Sequence, residues 1–217
     1  MRLQKLGGWT AIGLVFVSIA SAALLSRIGP HIGPTDFAAI SLDPAKMAAA
    51  YAALPVVFIA LLPLSILRGV CALLIALSLR ERMQAGAPVL TRLSVIAASA
   101  CVALLSIVSI AGMLGHASFA GSADMSAYRA FLVMLSGINA TAINAFGWEL
   151  LIIGWAALST RALPRILSCF ILAAGIAHFV QFAFVHPSVM TARGVLAGIS
   201  MIWLAVVLLR NPEPVTA

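Results

Sequence analysis

Six apolar runs, each long enough to cross a hydrocarbon core, which takes ~20 residues of helix, make up most of the chain, at about 9–28, 54–79, 92–115, 129–158, 166–186 and 194–210. What lies between them is too short to form an independent soluble domain. Hydrophobic residues make up 63% of the 217 and charged residues only 9%, against ~25% charged in ordinary globular chains, so water is excluded as the main solvent. The pattern predicts an all-α integral membrane protein, a single six-transmembrane-helix bundle over residues 1–217, whose first partner is the lipid bilayer.

A net charge of +7 does not point to nucleic acid, because the basic residues stand singly at the ends of the runs instead of sharing a polar face with aromatics. They report orientation. With the N-terminus in the cytoplasm, Arg2, Lys5, Arg80, Arg82, Arg92, Arg161, Arg165 and Arg210 lie inside, against Arg27, Lys46, Arg129 and Arg193 outside, so both termini are expected to be cytoplasmic. The opening Met1-Arg-Leu-Gln-Lys-Leu with small residues at Ser18–Ala22 also fits a cleaved signal peptide. The apolar run exceeds the ~7–15 residues of a signal core, which favours a first span.

Gly29-Pro30-His31-Ile32-Gly33-Pro34 reads as a turn that stops the first helix. After it, Asp43-Pro44 ahead of Ala45–Tyr51 combines an N-cap residue, Pro at the first helical position and strong helix formers, which predicts a short helix leading into the second span. Pro55 and Pro63 interrupt that span. Pro63 frees the Ile59 carbonyl, which either marks a bent helix or faces a polar cavity. Tight turns are expected at Arg80–Pro88 and Thr160–Arg165, and a polar connection at His116–Tyr128. His186-Pro187-Ser188 is expected to end the fifth helix and Asn211-Pro212-Glu213-Pro214 the sixth. No internal repeat is evident, and Gly194-xxx-Gly198 reads as helix packing within the bundle.

Two full charges stand deep in apolar sequence, Arg68 and Glu149. A charge at the bilayer centre costs roughly 2.5–3.5 kcal/mol on insertion scales, so such residues face protein, water or each other and mark a candidate site. Their depths match at ~1.5 Å of rise per residue, which makes an ion pair between them the simplest expectation, with Gly69 and Gly147 allowing close approach. His178 and Gln181, three apart on the fifth helix, extend the polar set outward. On the fourth, Asn144 shares a stripe with Thr141, Trp148 and Trp155, about 140° from Glu149, so one helix carries two polar faces. All five are ligand-binding or ion-pair candidates; interhelical fastening is the plainer role for Asn139, Asn144 and Gln181.

Cys71, Cys101 and Cys169 lie apart in apolar runs and read as small core residues, without disulfide or thiolate-metal spacing. No HExxH, GxSxG, Walker or GxGxxG motif occurs, so no catalytic residue, metal or nucleotide cofactor is expected. A haem held by His178 with His116 or His186 is disfavoured because the latter two look like outer helix-end residues.

The run Phe146-Gly-Trp-Glu-Leu-Leu-Ile-Ile-Gly-Trp155, continuing through Leu163-Pro-Arg-Ile-Leu-Ser168 to Ala173-Ala-Gly-Ile176, resembles the bacterial membrane family catalogued as domain of unknown function 4386. The resemblance implies six helices and a bacterial cytoplasmic membrane, and brings no activity or catalytic residue with it. From the residues themselves the expected function is binding or transport of a small ligand, lipid or proton through a polar intramembrane cavity. The alternatives are a structural or regulatory membrane subunit, and an enzyme using Glu149 as acid or base.

Overall fold

The computed structural model describes residues 3–32, 43–119, 124–183 and 187–210, all of them helical or in short connections. Among the described residues seven helices follow in order: α1 (Leu3–Ile32), α2 (Pro44–Ala53), α3 (Pro55–Met83), α4 (Pro88–Phe119), α5 (Met125–Thr160), α6 (Arg165–Ala183) and α7 (Pro187–Arg210). Five of these, all but α2 and α6, are long and apolar enough to cross a membrane. Large apolar side chains face outward around the circumference, among them Phe16, Ile59, Ile96, Ile110, Val133, Ile176 and Ile202. A belt of that extent is stable against lipid and not against water.

The six longer helices pack as a ring in chain order, each on its sequence neighbours, with α7 closing onto α1 and α3 touching α5 across the interior. Tight turns hold one end. A Cβ at Gly86, between α3 and α4, would meet Thr160 at the end of α5, while one at Gly7 would meet Ser78 and one at Gly8 would meet Leu209. The described chain ends, Leu3 and Arg210, therefore lie at this turn end. Arg161 closes α5 there in the left-handed conformation, with φ 55°. The opposite end carries α2.

Five of the six runs are longer as helices than their hydropathy indicates, because helices continue through polar flanks wherever tertiary packing holds them; the fifth, expected over 166–186, is helical over Arg165–Ala183. α1 passes through Gly29-Pro30 to Ile32, against the expected stop: Ile28 and Ile32 are buried with Ala50 and Val57, so contact with α2 and α3 outweighs the hydrogen bond lost at Pro30. The short α2 forms where Asp43 predicts it, the carboxylate accepting from the Ala45 and Lys46 N–H groups at 3.1 and 3.2 Å. Pro55 does not interrupt α3 but opens it, and Pro187 opens α7 instead of ending α6. Helix α3 runs on through Pro63; Pro63 and Ile59 are both exposed, so the freed Ile59 carbonyl lies on the outward face and not toward an interior cavity. Gly33-Pro34, His186 and the Asn211–Pro214 segment fall outside the described residues.

Packing is uneven along the bundle axis. From the turn end to mid-height one core joins α1, α3, α5, α6 and α7 around Leu14, Ile75, Leu79, Ile153, Ile171 and Leu204. At its antiparallel α5–α6 seam the two backbones come close: a Cβ on Gly154 would come 2.8 Å from the Leu172 nitrogen and one on Gly175 would come 2.8 Å from the Leu151 nitrogen. Beyond mid-height burial lapses on four helices, with no residue buried over Phe58–Arg68 of α3, Val133–Thr141 of α5, Ser188–Ile199 of α7 or Ala22–Arg27 of α1, while α4 keeps a buried stripe and packs on α5 through Cys101, Leu105 and Ala142. The glycines agree, since a Cβ at Gly137, Gly194 or Gly198 would meet nothing within 4 Å. Gly194-xxx-Gly198 is thus not the packing motif its spacing implies. Burial returns at the α2 end, in clusters that join α2 to α1, α3, α4 and α5 and include no described residue of α6 or α7.

Candidate functional site

Heights above the turn end follow from helix rise. At ~1.5 Å per residue Arg68 stands about 22 Å from the end of α3, Cys101 and His178 about 20 Å along α4 and α6, Gln181 and Asn144 about 24 Å along α6 and α5, Arg193 about 26 Å along α7, and Glu149 about 16 Å along α5. Trp9 and Trp155, both exposed, stand about 8–9 Å from the same end, where amphipathic rings settle at a membrane interface. Arg68 and His178 stand about 11–14 Å above these two rings, about half the ~30 Å thickness of a hydrocarbon core. The polar residues form a layer at the boundary between the packed core and the loosely packed region above it.

Arg68 and Glu149 share that zone but no ion pair joins them, which corrects the simplest expectation from their depths. Glu149 points down into a narrow crevice lined by Ile75, Leu79, Phe146, Leu150, Ile153, Ile171, Met201 and Leu204. It is 1% exposed, and its Oε2 has no hydrogen-bond partner. No nucleophile shares this lining, and among the described residues no three His, Cys, Asp or Glu side chains converge as metal ligands do. Arg68, only half-buried, lies instead close enough to act electrostatically on His178 and Arg193, while Cys101 is within range of both Arg68 and Glu149. Equal height therefore did not mean contact: the two side chains leave their helices toward different packing environments.

His178 is buried against the α5–α6 seam, where a Cβ on Gly147 would come 2.9 Å from its own Cβ. Its Nδ1 lies 2.7 Å from the Ala174 carbonyl, which can only accept, so Nδ1 carries the hydrogen and Nε2 is left for other partners. Phe146 contacts the ring edge-on at 5.3 Å. One turn higher, the Gln181 Oε1 is enclosed without a partner. Asn144 is half-buried on the stripe whose other members, Thr141, Trp148 and Trp155, are exposed; Thr141 bonds back to its own helix at Gly137 O, 2.9 Å. The two polar faces expected of α5 are present, and only the Glu149 face turns inward.

Two features escaped the sequence reading. Arg193, expected in an outside flank, is a half-buried helical residue whose Nη1 is enclosed and unpartnered, because α7 starts about two turns before the apolar run does. His116, expected at the outer surface, is buried: its Nδ1 lies 2.7 Å from the Tyr128 hydroxyl, and Tyr51, Phe58, Tyr128 and Phe131 surround the ring at centroid distances of 5.1–6.2 Å. The recurrence of aromatics at 128 and 131 and of His116 with Phe119, three apart on helix ends, was the available signal. Of the cysteines, Cys71 and Cys101 are buried as expected, whereas Cys169 is exposed.

No family model, curated protein or solved structure matches this chain.

Proposed function

We propose that the chain is a six-span protein of a bacterial cytoplasmic membrane, with α6 as the sixth span and the turn end in the cytoplasm, and that it binds or moves a small polar ligand entering from the α2 end. The likeness to the domain of unknown function 4386 family accords with this placement and adds no activity. Helix α6 is 19 residues long, about 28 Å, and sits in the ring between α5 and α7, a position that needs it to cross with them. The basic residues of the two tight turns set the orientation.

One observation carries the functional reading. Three turns of α3 that end at Arg68, and three of α7 that include Arg193, contain no buried residue, and His178 and Gln181 stand at the same height on α6. A bundle built only for stability places its apolar stripes there and has no reason to hold charge at that depth. Among the described residues the α2 clusters cover the α1, α3, α4 and α5 side and include none of α6 or α7, which makes the α6–α7 side the approach. Glu149 lies about one turn below His178, where a proton or ligand passing further down meets it first.

Thiol accessibility tests this. In a chain with Cys71, Cys101 and Cys169 replaced by Ala, Ser65→Cys and Gln181→Cys react with a membrane-impermeant reagent applied from the α2 side of sealed vesicles, while Leu150→Cys in the packed core stays protected. If Ser65→Cys and Gln181→Cys are as inert as Leu150→Cys, the layer is closed and the ligand reading fails.

A further inference from the structure

Arg68 and Arg193 come from α3 and α7, which are not neighbours in the ring, yet their side chains lie within electrostatic range of one another and of His178. Neither makes an ion pair or hydrogen bond within the described residues. Of the described carboxylates, Asp43 pairs with Lys46 at the surface, Asp124 caps α5, Glu81 is exposed at the turn end, and Glu149 is sunk in its apolar crevice. Two guanidiniums thus lie within electrostatic range of each other, and no carboxylate of the described residues pairs with either. Like charges in a medium of low dielectric repel strongly, and the penalty is removed when a shared anion occupies the gap.

We propose that Arg68 and Arg193 clamp a single oxyanion group, a carboxylate or a phosphate, at the floor of the loosely packed layer. The inference rests on the ligand-entry reading above and names the chemistry of the ligand. The planar guanidinium presents paired N–H donors matched to the two oxygens of such a group, and the enclosed Nη1 of Arg193 is a donor aimed into protein without an acceptor. The neighbouring polar groups sort by role. Gln181, whose Oε1 is itself unpartnered, stands level with Arg193 and can accept a hydrogen bond from a protonated ligand oxygen or turn its amide N–H toward an ionised one. Having committed its Nδ1 hydrogen to Ala174, His178 offers Nε2 alone. Glu149, being below the floor, does not compete for the arginines, whereas an Arg68–Glu149 ion pair would have cancelled the site. The group belongs either to a free small anion or to the head of an anionic lipid reaching in past α6 and α7; both present the same oxygens to the same clamp.

The test uses the full chain in neutral detergent, followed by thermal unfolding at constant ionic strength with sodium chloride as the blank. Inorganic phosphate and succinate probe the free anion, and phosphatidylglycerol against phosphatidylcholine in mixed micelles probes the lipid head. The expected result is a saturable rise in Tm of about 5–10 °C with at least one probe at a hundredfold excess over its Kd, absent in both Arg68→Gln and Arg193→Gln and partly kept in Arg193→Lys. A response to phosphatidylglycerol alone assigns the lipid source; a response to phosphate or succinate assigns the free one. No response to any probe, or a response that survives in both Gln variants, overturns the clamp. Should the Gln variants not fold, the labelling rate of Gln181→Cys decides: slowing by the active probe supports the clamp, and unchanged labelling sinks it while leaving the accessible layer intact. Absence of labelling altogether would instead remove the ligand reading on which the clamp depends.

Discussion

Replacing Glu149 with Leu should make the protein more stable. The carboxyl is 1% exposed, its Oε2 has no partner, and the side chains around it are Ile75, Leu79, Phe146, Leu150, Ile153, Ile171, Met201 and Leu204. An unsatisfied buried polar group costs about 1–3 kcal/mol, and Leu, of similar volume, removes that cost and adds apolar contact. For a chain of this size about 2–4 °C of Tm accompanies each kcal/mol, so a rise of about 2–12 °C is expected in thermal unfolding of the detergent-solubilised protein. Glu149→Ala supplies the internal control: it removes the same oxygens but opens a cavity, and large-to-small changes in a packed core lose about 2–5 kcal/mol, so Ala should fall at or below wild type. The order Leu above wild type above Ala identifies a carboxyl held in place despite its energetic cost. A Leu variant destabilised by more than about 1 kcal/mol would refute the reasoning, since that is the signature of a carboxylate whose partner has been taken away.

Four further outcomes follow from the same geometry. A double-mutant cycle of Arg68→Gln and Glu149→Gln should give a coupling under about 0.5 kcal/mol in unfolding free energy; 1 kcal/mol or more restores the ion pair. Gly154→Ala should lose about 1–3 kcal/mol because its Cβ would press on the Leu172 backbone, whereas Gly194→Ala, with open space around it, should be neutral or gain up to about 1 kcal/mol; equal effects at the two positions would contradict the uneven packing. Tyr128→Phe should cost about 0.5–1.5 kcal/mol by stranding His116 Nδ1, and an unchanged Tm would show that this hydrogen bond carries no weight. Asp124, which accepts from the Ala127 N–H and the Ser126 hydroxyl, is held below the usual carboxylate range, the backbone bond being the larger cause. Because its folded value is depressed, its contribution is complete above the ordinary carboxylate pKa and is lost as pH falls through the folded one; Asp124→Asn should flatten that part of the acid-stability curve, and an identical curve would remove Asp124 from the account.

Height was legible in the sequence and direction was not. Runs of apolar residues located the long helices, and Asp43-Pro44 located α2, because both signals are local. The ends of α1 and α7 were missed for a shared reason: hydropathy stops at the first polar residue, while a helix stops where its packing does. Arg193 set the boundary of the sixth run by being charged and is itself helical. Counting residues along α3 and α5 put Arg68 and Glu149 near one level, but whether two side chains meet depends on the rotation of each helix and on what fills the space between them, and both are settled by long-range packing such as the Gly154–Leu172 seam. Residue type alone likewise gave His116 no address. Its burial requires α2 to fold back so that Tyr51 stacks on it, a contact between residues 65 positions apart.

The backbone seam between α5 and α6 also bears on how the chain enters a membrane. Alone, α6 is a poor candidate for insertion, since it is the shortest of the ring helices and brings His178 and Gln181 with it, while α5 brings Glu149. Joined by a turn of four residues and matched at Gly147, Gly154 and Gly175, the two segments can leave the insertion machinery as one hairpin, each covering the other's polar groups before any lipid reaches them. On the six-span reading proposed above, a bulky residue at Gly154 should then show its damage during biosynthesis, as α6 left outside the bilayer, and not merely as a lower melting point in the finished protein.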